Sequence, residues 1–307
     1  MERKQIEQLA EKFIKGKIDY PEKVNPRVQE ITLRLLTDLM QAINDLHITA
    51  DEYWAGVEYF ADLGKEAGLL SPGLGLDHFM DLMIEEDLQA AGLDGGTVRT
   101  IEGPLYVAGA PVEKGFARLD DGTDLENGTV LFMQGTVYDE AGKPIPNAQV
   151  EVWHANSLGN YSFFDESQSE FNLRRTIITD ENGNYGFRSI VPLGYSVPDD
   201  GMVKKLLDAL GRHGHRPAHI HFFASAEGYR KVTTQINIDG DEYLWDDFAF
   251  ASREGLVPEV KMVDDAAQLK EKGLDKAYAS IDFDFHLVKD IDKPVQGSEV
   301  ERRRAQL

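Results

Sequence analysis

Apolar positions in the first hundred residues recur at steps of three and four. Ile6, Leu9, Phe13 and Ile14 share one helical face, and Val28, Ile31, Leu35, Leu39, Ile43 and Leu46 carry the same period through a long amphipathic helix. Pro26 stands near the start of that helix, where a missing N–H costs little. Thr49-Ala-Asp-Glu52 predicts a capping box ahead of Tyr53, Trp54, Val57 and Phe60. Phe79, Leu82, Met83 and Leu88 predict another helix after a loop, SPGLGLD. From about residue 103 the period becomes two. GTVLFMQGTVYDEAGKPIPNAQVEVWHA alternates and turns through AGKPIPNA. TIITDENGNYGFRSIVP reads as strand–turn–strand about Asn182-Gly183. AHIHFFASA, VTTQINID and YASIDFDFHLV supply further strands, and residues 199–214 insert a short helical pattern, Met202 to Leu210, that could act as a flap.

These periods predict an α+β chain. Residues 1–104 form an all-α helical dimerisation and linker region, 105–290 a mixed-topology β-sandwich, and 291–307 a charged tail. The thin helical layer has more apolar face than its size needs, so a homodimer contact through these helices is expected. At 307 residues and 42% hydrophobic content the chain can bury a core. A net charge of −22 argues against nucleic-acid partners and against adhesion to anionic membranes. No stretch approaches the roughly 20 apolar residues of a membrane span, and MERKQIEQLAEKFIKG lacks a signal peptide's apolar run. A cytoplasmic location is expected. With no cysteine, thiolate metal sites, disulfides and cysteine nucleophiles are excluded.

The candidate chemistry begins at RPAHIHF. Side chains on a strand alternate between faces, so His219 and His221 point the same way, about 7 Å apart along the strand. They can converge on one metal, or they can be a chance pair on a solvent face; their apolar flanks favour the first. The histidines at 47, 78, 154, 213, 215 and 286 show no comparable arrangement, and each reads as a surface or hydrogen-bonded core residue. Two neutral imidazoles leave a cation's charge uncompensated. Carboxylates are one remedy, although no HExxH stretch is present. Phenolate is another, a hard donor suited to ferric iron. Tyr161, ending VWHANSLGNY, and Tyr195, ending IVPLGY, each follow a strand; either could equally be a packing residue.

Taken in order, VWHANSLGNY, TDENGNYGF, IVPLGY and RPAHIHF, together with IEGPLYVAGAP at 101–111, resemble the intradiol ring-cleaving dioxygenases from roughly residue 20 to 290. The resemblance implies a helical dimerisation region, a β-sandwich, and one Fe(III) per subunit held by Tyr161, Tyr195, His219 and His221. Fe(III) with two phenolates and a hydroxide sums to zero, so a buried site of this kind avoids isolated charge. Tyr195 matches the ligand that leaves and takes a catechol proton, with His221 opposite it, while Tyr161 stays beside His219. Arg216 matches an active-site arginine, a permanent cation able to stabilise charge developing on the ring and its oxygens. Gln235 matches a supporting residue. The implied reaction is cleavage of catechol by O2 to cis,cis-muconate in aromatic-compound degradation. The implied pocket is Leu69, Pro72, Ile101, Pro104, Leu105, Arg216, Phe248 and Ala249, apolar as a flat neutral ring requires. Pro72, where hydroxyquinol-cleaving relatives tend to place an acid, favours plain catechol. The family also implies a phospholipid between the N-terminal helices of the dimer. Two other readings of the histidine pair stay open: a hydrolytic zinc site, and a non-catalytic transthyretin-like sandwich that carries small hydrophobic molecules.

Overall fold

The computed structural model describes residues 1–93, 95–124, 126 and 128–290; the charged tail expected at 291–307 lies outside the described residues. The chain divides into two compact units, Met1–Gly64 and Lys65–Leu307.

The first unit is helical. Helix α1 (Arg3–Lys15) buries Ile6 and Ala10 and packs on α2 (Pro26–Asp45). Asn25, just ahead of Pro26, caps α2, its side-chain oxygen accepting the N–H groups of Arg27 and Val28. In α3 (Ala50–Leu63), Thr49 and Glu52 form the capping box read from the sequence. The long apolar stripe of α2 is not buried by the other helices of its own unit. Val28, Ile31, Leu35, Leu39 and Leu46 are all exposed, as are Trp54 and Phe60 of α3.

The second unit opens with α4 (Ala67–Gly73) and α5 (Leu76–Ala90). SPGLGLD, expected as a loop, is therefore mostly helix. Only Leu74 and Gly75 interrupt it, with Gly75 in the left-handed region at φ 76°. The last helix of the N-terminal stretch thus ends at Ala90 and strands begin at Val112, whereas compactness divides the chain at residue 64.

Two mixed sheets follow. The first runs β1 (Val112–Lys114), β5 (Arg174–Ile178), β4 (Gln149–His154), β9 (His219–Ser225), β10 (Val232–Asn237), in that spatial order. The second runs β11 (Lys261–Val263), β12 (Tyr278–Asp282), β3 (Val130–Asp139), β6 (Asn184–Ile190), β2 (Phe116–Arg118), with β13 (Phe285–Leu287) also on β3. A two-stranded ribbon joins β7 (Tyr195–Ser196) to β8 (His215–Arg216). Helix α6 (Met202–Ala209) occupies the insertion between them, and α7 (Ala266–Lys272) precedes β12. Val150, Val152, Ile220 and Phe222 of the first sheet meet Leu131, Met133, Phe187 and Phe285 of the second in one buried core. The Phe222 ring lies 5.2 Å from that of Phe285 across the gap.

The stretches expected to be strand–turn–strand units are crossovers between sheets. β3 and β4 belong to opposite sheets, and so do β5 and β6. Asp180 holds the Asn182-Gly183 turn by accepting the N–H groups of Asn182 and Asn184. Gly183 is needed twice over: its φ is 76°, and a Cβ would stand 2.9 Å from Ile145 N. Among the described residues no helix is long and apolar enough to cross a membrane.

Candidate metal centre

Strand β9 sorts its side chains by alternation. Ile220, Phe222 and Ala224 enter the core between the sheets. His219 and His221 face the other way, both about 2% exposed, where Trp153, Tyr161 and Phe223 form a smaller cluster with Leu105 and Tyr106. The His221 ring stacks flat on Trp153, with centroids 4.9 Å apart and planes 6° from parallel. Register puts His221 opposite Gln235 of β10 and Trp153 of β4.

Short loops bring the two tyrosines to these histidines. Tyr161 follows β4 by a turn in which Asn156 accepts the N–H groups of Leu158 and Asn160. Arg174, itself buried, then donates to Ser162 Oγ, Ser162 O and Leu105 O, pinning the residue next to Tyr161 to the chain at Leu105. Tyr195 sits on β7, directly paired with Arg216 on β8. The Tyr161 and Tyr195 rings meet edge to face at 5.6 Å. Tyr161 is 5% exposed and Tyr195 only half-buried.

The donor atoms converge. Nε2 of His219 lies 3.1 Å from Nε2 of His221 and 3.4 Å from Oη of Tyr161. Adjacent ligands at right angles on bonds of about 2.1 Å stand about 3 Å apart, so this spacing fits a single ion. Nδ1 of His219 meets the Pro217 carbonyl at 2.7 Å. A carbonyl only accepts, so Nδ1 carries the proton and Nε2 presents its lone pair to the cluster. Nδ1 of His221 has no hydrogen-bond partner among the described residues, and Trp153 fixes that ring by stacking instead.

Electrostatics keep both rings neutral. Burial, reinforced by the Arg216 charge, pushes His219 down to about 3. Burial, with His219 and Arg216 adding to it, pushes His221 well below its usual value. The same burial drives the Tyr161 phenol well above 10, and Tyr195 beside it adds to that. The site therefore keeps protons off the two imidazole nitrogens that face its centre, leaving their lone pairs free to donate. Among the described residues no group of three or more histidine and carboxylate side chains is placed to hold an ion. The oxygen donor nearest the two imidazoles is the Tyr161 phenol, a hard ligand that suits ferric iron.

Arg216, 4% exposed, reaches the same point. Its Nη1 is 3.0 Å from His219 Nε2, and its Nη2 donates to Gln235 Oε1 at 2.8 Å and to Asp247 at 3.1 Å. Burial opposes its charge, yet Asp247 and the facing tyrosines hold the guanidinium above its usual value. A cavity of about 660 Å³ opens onto Tyr161, Tyr195 and Arg216, walled by Leu69, Pro72, Ile101, Pro104, Leu105, Phe248 and Ala249. All eight residues expected in the pocket line it. Gln235, His219 and His221 lie behind that lining.

Sequence reasoning missed Glu66, Phe164, Asp165 and Val197, which also line the cavity. It missed Arg174 and Asp247 as well, two buried charges beside the centre. The one sequence signal for Asp247 is its place next to Phe248. His154 is a hydrogen-bonded core residue, held by Ala155 O and Ser189 Oγ.

Two imidazoles and the Tyr161 phenol around one point, with the Tyr195 ring beside them, on the outer face of a sandwich sheet and just behind the lining of a mostly apolar cavity, define a candidate mononuclear non-haem metal centre. Residues 101–289 match the family model described as Dioxygenase, and residues 25–92 match the Catechol dioxygenase N terminus. The chain belongs to the intradiol ring-cleaving dioxygenase family, which implies non-haem iron. It is 54% identical over 299 residues to a catechol 1,2-dioxygenase of Acinetobacter guillouiae, covering 96% of this chain and 97% of that one. It is 62% identical over 242 residues to catechol 1,2-dioxygenase 2 of Acinetobacter lwoffii, covering 78% and 87%. The crystal structure of wild-type Acinetobacter radioresistens catechol 1,2 dioxygenase superposes with a TM-score of 0.95 at 53% identity, covering 99% of this chain and 98% of that one.

Proposed function

We propose that this chain cleaves catechol with O2 between the two hydroxylated carbons, giving cis,cis-muconate with both oxygen atoms retained. The observation that carries this is the convergence of His219, His221 and Tyr161 donor atoms, with Tyr195 and Arg216 alongside, at the floor of an apolar cavity. One Fe(III) per subunit, held by Tyr161, Tyr195, His219 and His221, would supply a Lewis acid that draws electron density from a chelated catecholate and opens a ring carbon to O2.

The chain's own residues do the rest. Tyr195, half-buried at the cavity, would help to hold the metal as its phenolate, and in that form its Oη can accept a catechol proton. Tyr161, sealed by burial and by the Arg174 clamp on Ser162, stays in place. Nη1 of Arg216 presents a fixed positive charge to negative charge developing on the ring and its oxygens. Gln235 accepts from Nη2 and so holds the guanidinium plane. Leu69, Pro72, Ile101, Pro104, Leu105, Phe248 and Ala249 present apolar surface suited to an uncharged flat ring. Pro72 at the wall, where an acid would serve a third hydroxyl, favours catechol over hydroxyquinol.

Oxygen consumption with catechol, followed with the ultraviolet absorbance of the muconate product and iron analysis, tests this reading. One O2 consumed per muconate formed and one iron per chain support it. Turnover with zinc, or tight catechol binding without oxygen uptake, refutes it.

Three finer readings accompany it. The exposed apolar residues of α2 and α3 support a homodimer through these helices, checked by mass in solution. The same apolar face supports a bound phospholipid at that interface, checked by lipid extraction and mass spectrometry. A cytoplasmic location is the third, checked by cell fractionation.

A further inference from the structure

We propose that Asp247 is a positioning residue: its carboxylate aims the Arg216 guanidinium at the reaction centre and, with the same two oxygens, shapes the Phe248–Ala249 wall of the substrate cavity. The inference rests on the intradiol reading and concerns a residue which that reading leaves without a role.

The geometry is specific. The Asp247 side chain is 1% exposed. It takes the Nε of Arg216 at 3.2 Å and the Nη2 at 3.1 Å, a two-toothed grip on one edge of the guanidinium. Gln235 takes Nη2 from a second direction. With that edge occupied, Nη1 is turned toward His219 Nε2, at the centre. A long arginine side chain has many rotamers, and a buried fork of this kind selects one of them.

The other half of the role lies in the backbone. Asp247 Oδ1 accepts the Ala249 N–H at 3.0 Å, and Oδ2 accepts the Ala251 N–H at 3.3 Å. Phe248 N–H donates to His215 O, one residue before Arg216, and Phe248 O accepts from Arg212 Nη2. Phe248 and Ala249 both line the cavity. One buried carboxylate therefore ties the direction of the catalytic cation to the position of the wall that seats the ring. Displacing either displaces both, so turnover and substrate fit are coupled through a single side chain that touches neither substrate nor metal.

The test is a double-mutant cycle on iron-loaded protein. Asp247→Asn keeps an oxygen for the Ala249 N–H and removes the charge from the fork. Arg216→Lys keeps a cation without the fork. Turnover is expressed per bound iron, and catechol affinity is measured anaerobically. In the Arg216 background, Asp247→Asn is expected to lower kcat per iron at least tenfold, to weaken catechol binding a few-fold, and to leave the visible iron band in place. In the Arg216→Lys background the same change is expected to lower kcat less than twofold, because Asp247 acts through the arginine. An equal loss in both backgrounds, or parental kcat per iron in Asp247→Asn, overturns the proposal. If Asp247→Asn does not load iron, Asp247→Glu reads the same point, since it keeps the charge and displaces the fork; parental kcat per iron in that variant overturns the proposal. A parent protein that does not turn over catechol overturns the intradiol reading, and the proposal with it.

Discussion

Arg174→Met isolates the clamp that holds Tyr161. Arg174 is 1% exposed and makes three hydrogen bonds, to Ser162 Oγ at 2.9 Å, Ser162 O at 3.0 Å and Leu105 O at 2.8 Å. Two effects oppose each other when its charge is removed. Burial lowers the Arg174 pKa from 12.5 to about 10, with the Tyr161 and Tyr106 phenols pulling it back up. That shift corresponds to about 3 kcal/mol of cost in holding the charge, which methionine would relieve. Against it stand three hydrogen bonds from a charged donor, each contributing about 1.5–3 kcal/mol, or about 5–9 kcal/mol together. The hydrogen bonds win by about 2–6 kcal/mol, because the Leu105 and Ser162 carbonyls are left without their donor. In a unit of this size that is a fall in Tm on the order of 10 °C. Loss of the clamp frees the loop at Tyr161, so iron content falls with stability. Thermal unfolding by circular dichroism, with metal analysis on the same sample, reads both. A variant at least as stable as the parent and fully loaded with iron would show that the buried charge outweighs its hydrogen bonds and that the clamp does not position Tyr161.

Tyr195→Phe is expected to bind iron and lose most turnover, since the phenolate that would accept the catechol proton is gone; near-parental kcat would contradict that role. His154, buried between Ala155 O and Ser189 Oγ, has its pKa pushed by burial to about 4. The unfolded chain protonates this ring near 6.5, so its stability contribution is full above that pH and is lost as pH falls toward 4. Urea unfolding should show about 2 kcal/mol lost from this residue alone by pH 5, and His154→Asn should lack that component. Gly135→Ala is expected to abolish soluble expression, because a Cβ there would collide with the Phe283 carbonyl oxygen. Gly56→Ala in α3, with nothing within 4 Å of the new methyl, should instead stabilise by about 0.5–1 kcal/mol; equal behaviour of the two variants would refute the packing argument.

Periodicity in the sequence identified helices and strands because each face of each element carries its own polarity. The capping box at Thr49 and the shared face of His219 and His221 followed from local rules alone. Strand partnership did not follow, because an Asn-Gly turn fixes a reversal of direction and not the sheet to which the next strand belongs. The stripe from Val28 to Leu46 predicted a helix correctly and gave no information on what covers it. At the centre, the histidine pair was visible as a pattern. The tyrosines were only residues after strands until their place in the order of motifs gave them meaning. Arg174 carried no signal and Asp247 only its place next to Phe248, since a buried arginine and a buried aspartate have the same letters as surface ones. Their roles come from long-range register, Arg216 meeting Asp247 and Arg174 meeting Leu105.

The claim on which the account depends is that phenol oxygens complete the shell around the two imidazoles. The visible spectrum of the iron-loaded protein under anaerobic conditions, before and after catechol is added, tests it most directly. The account predicts a red to burgundy protein whose tyrosinate-to-iron band moves to longer wavelength with catechol. A fully loaded protein without that band, or a band that catechol leaves unmoved, would contradict it.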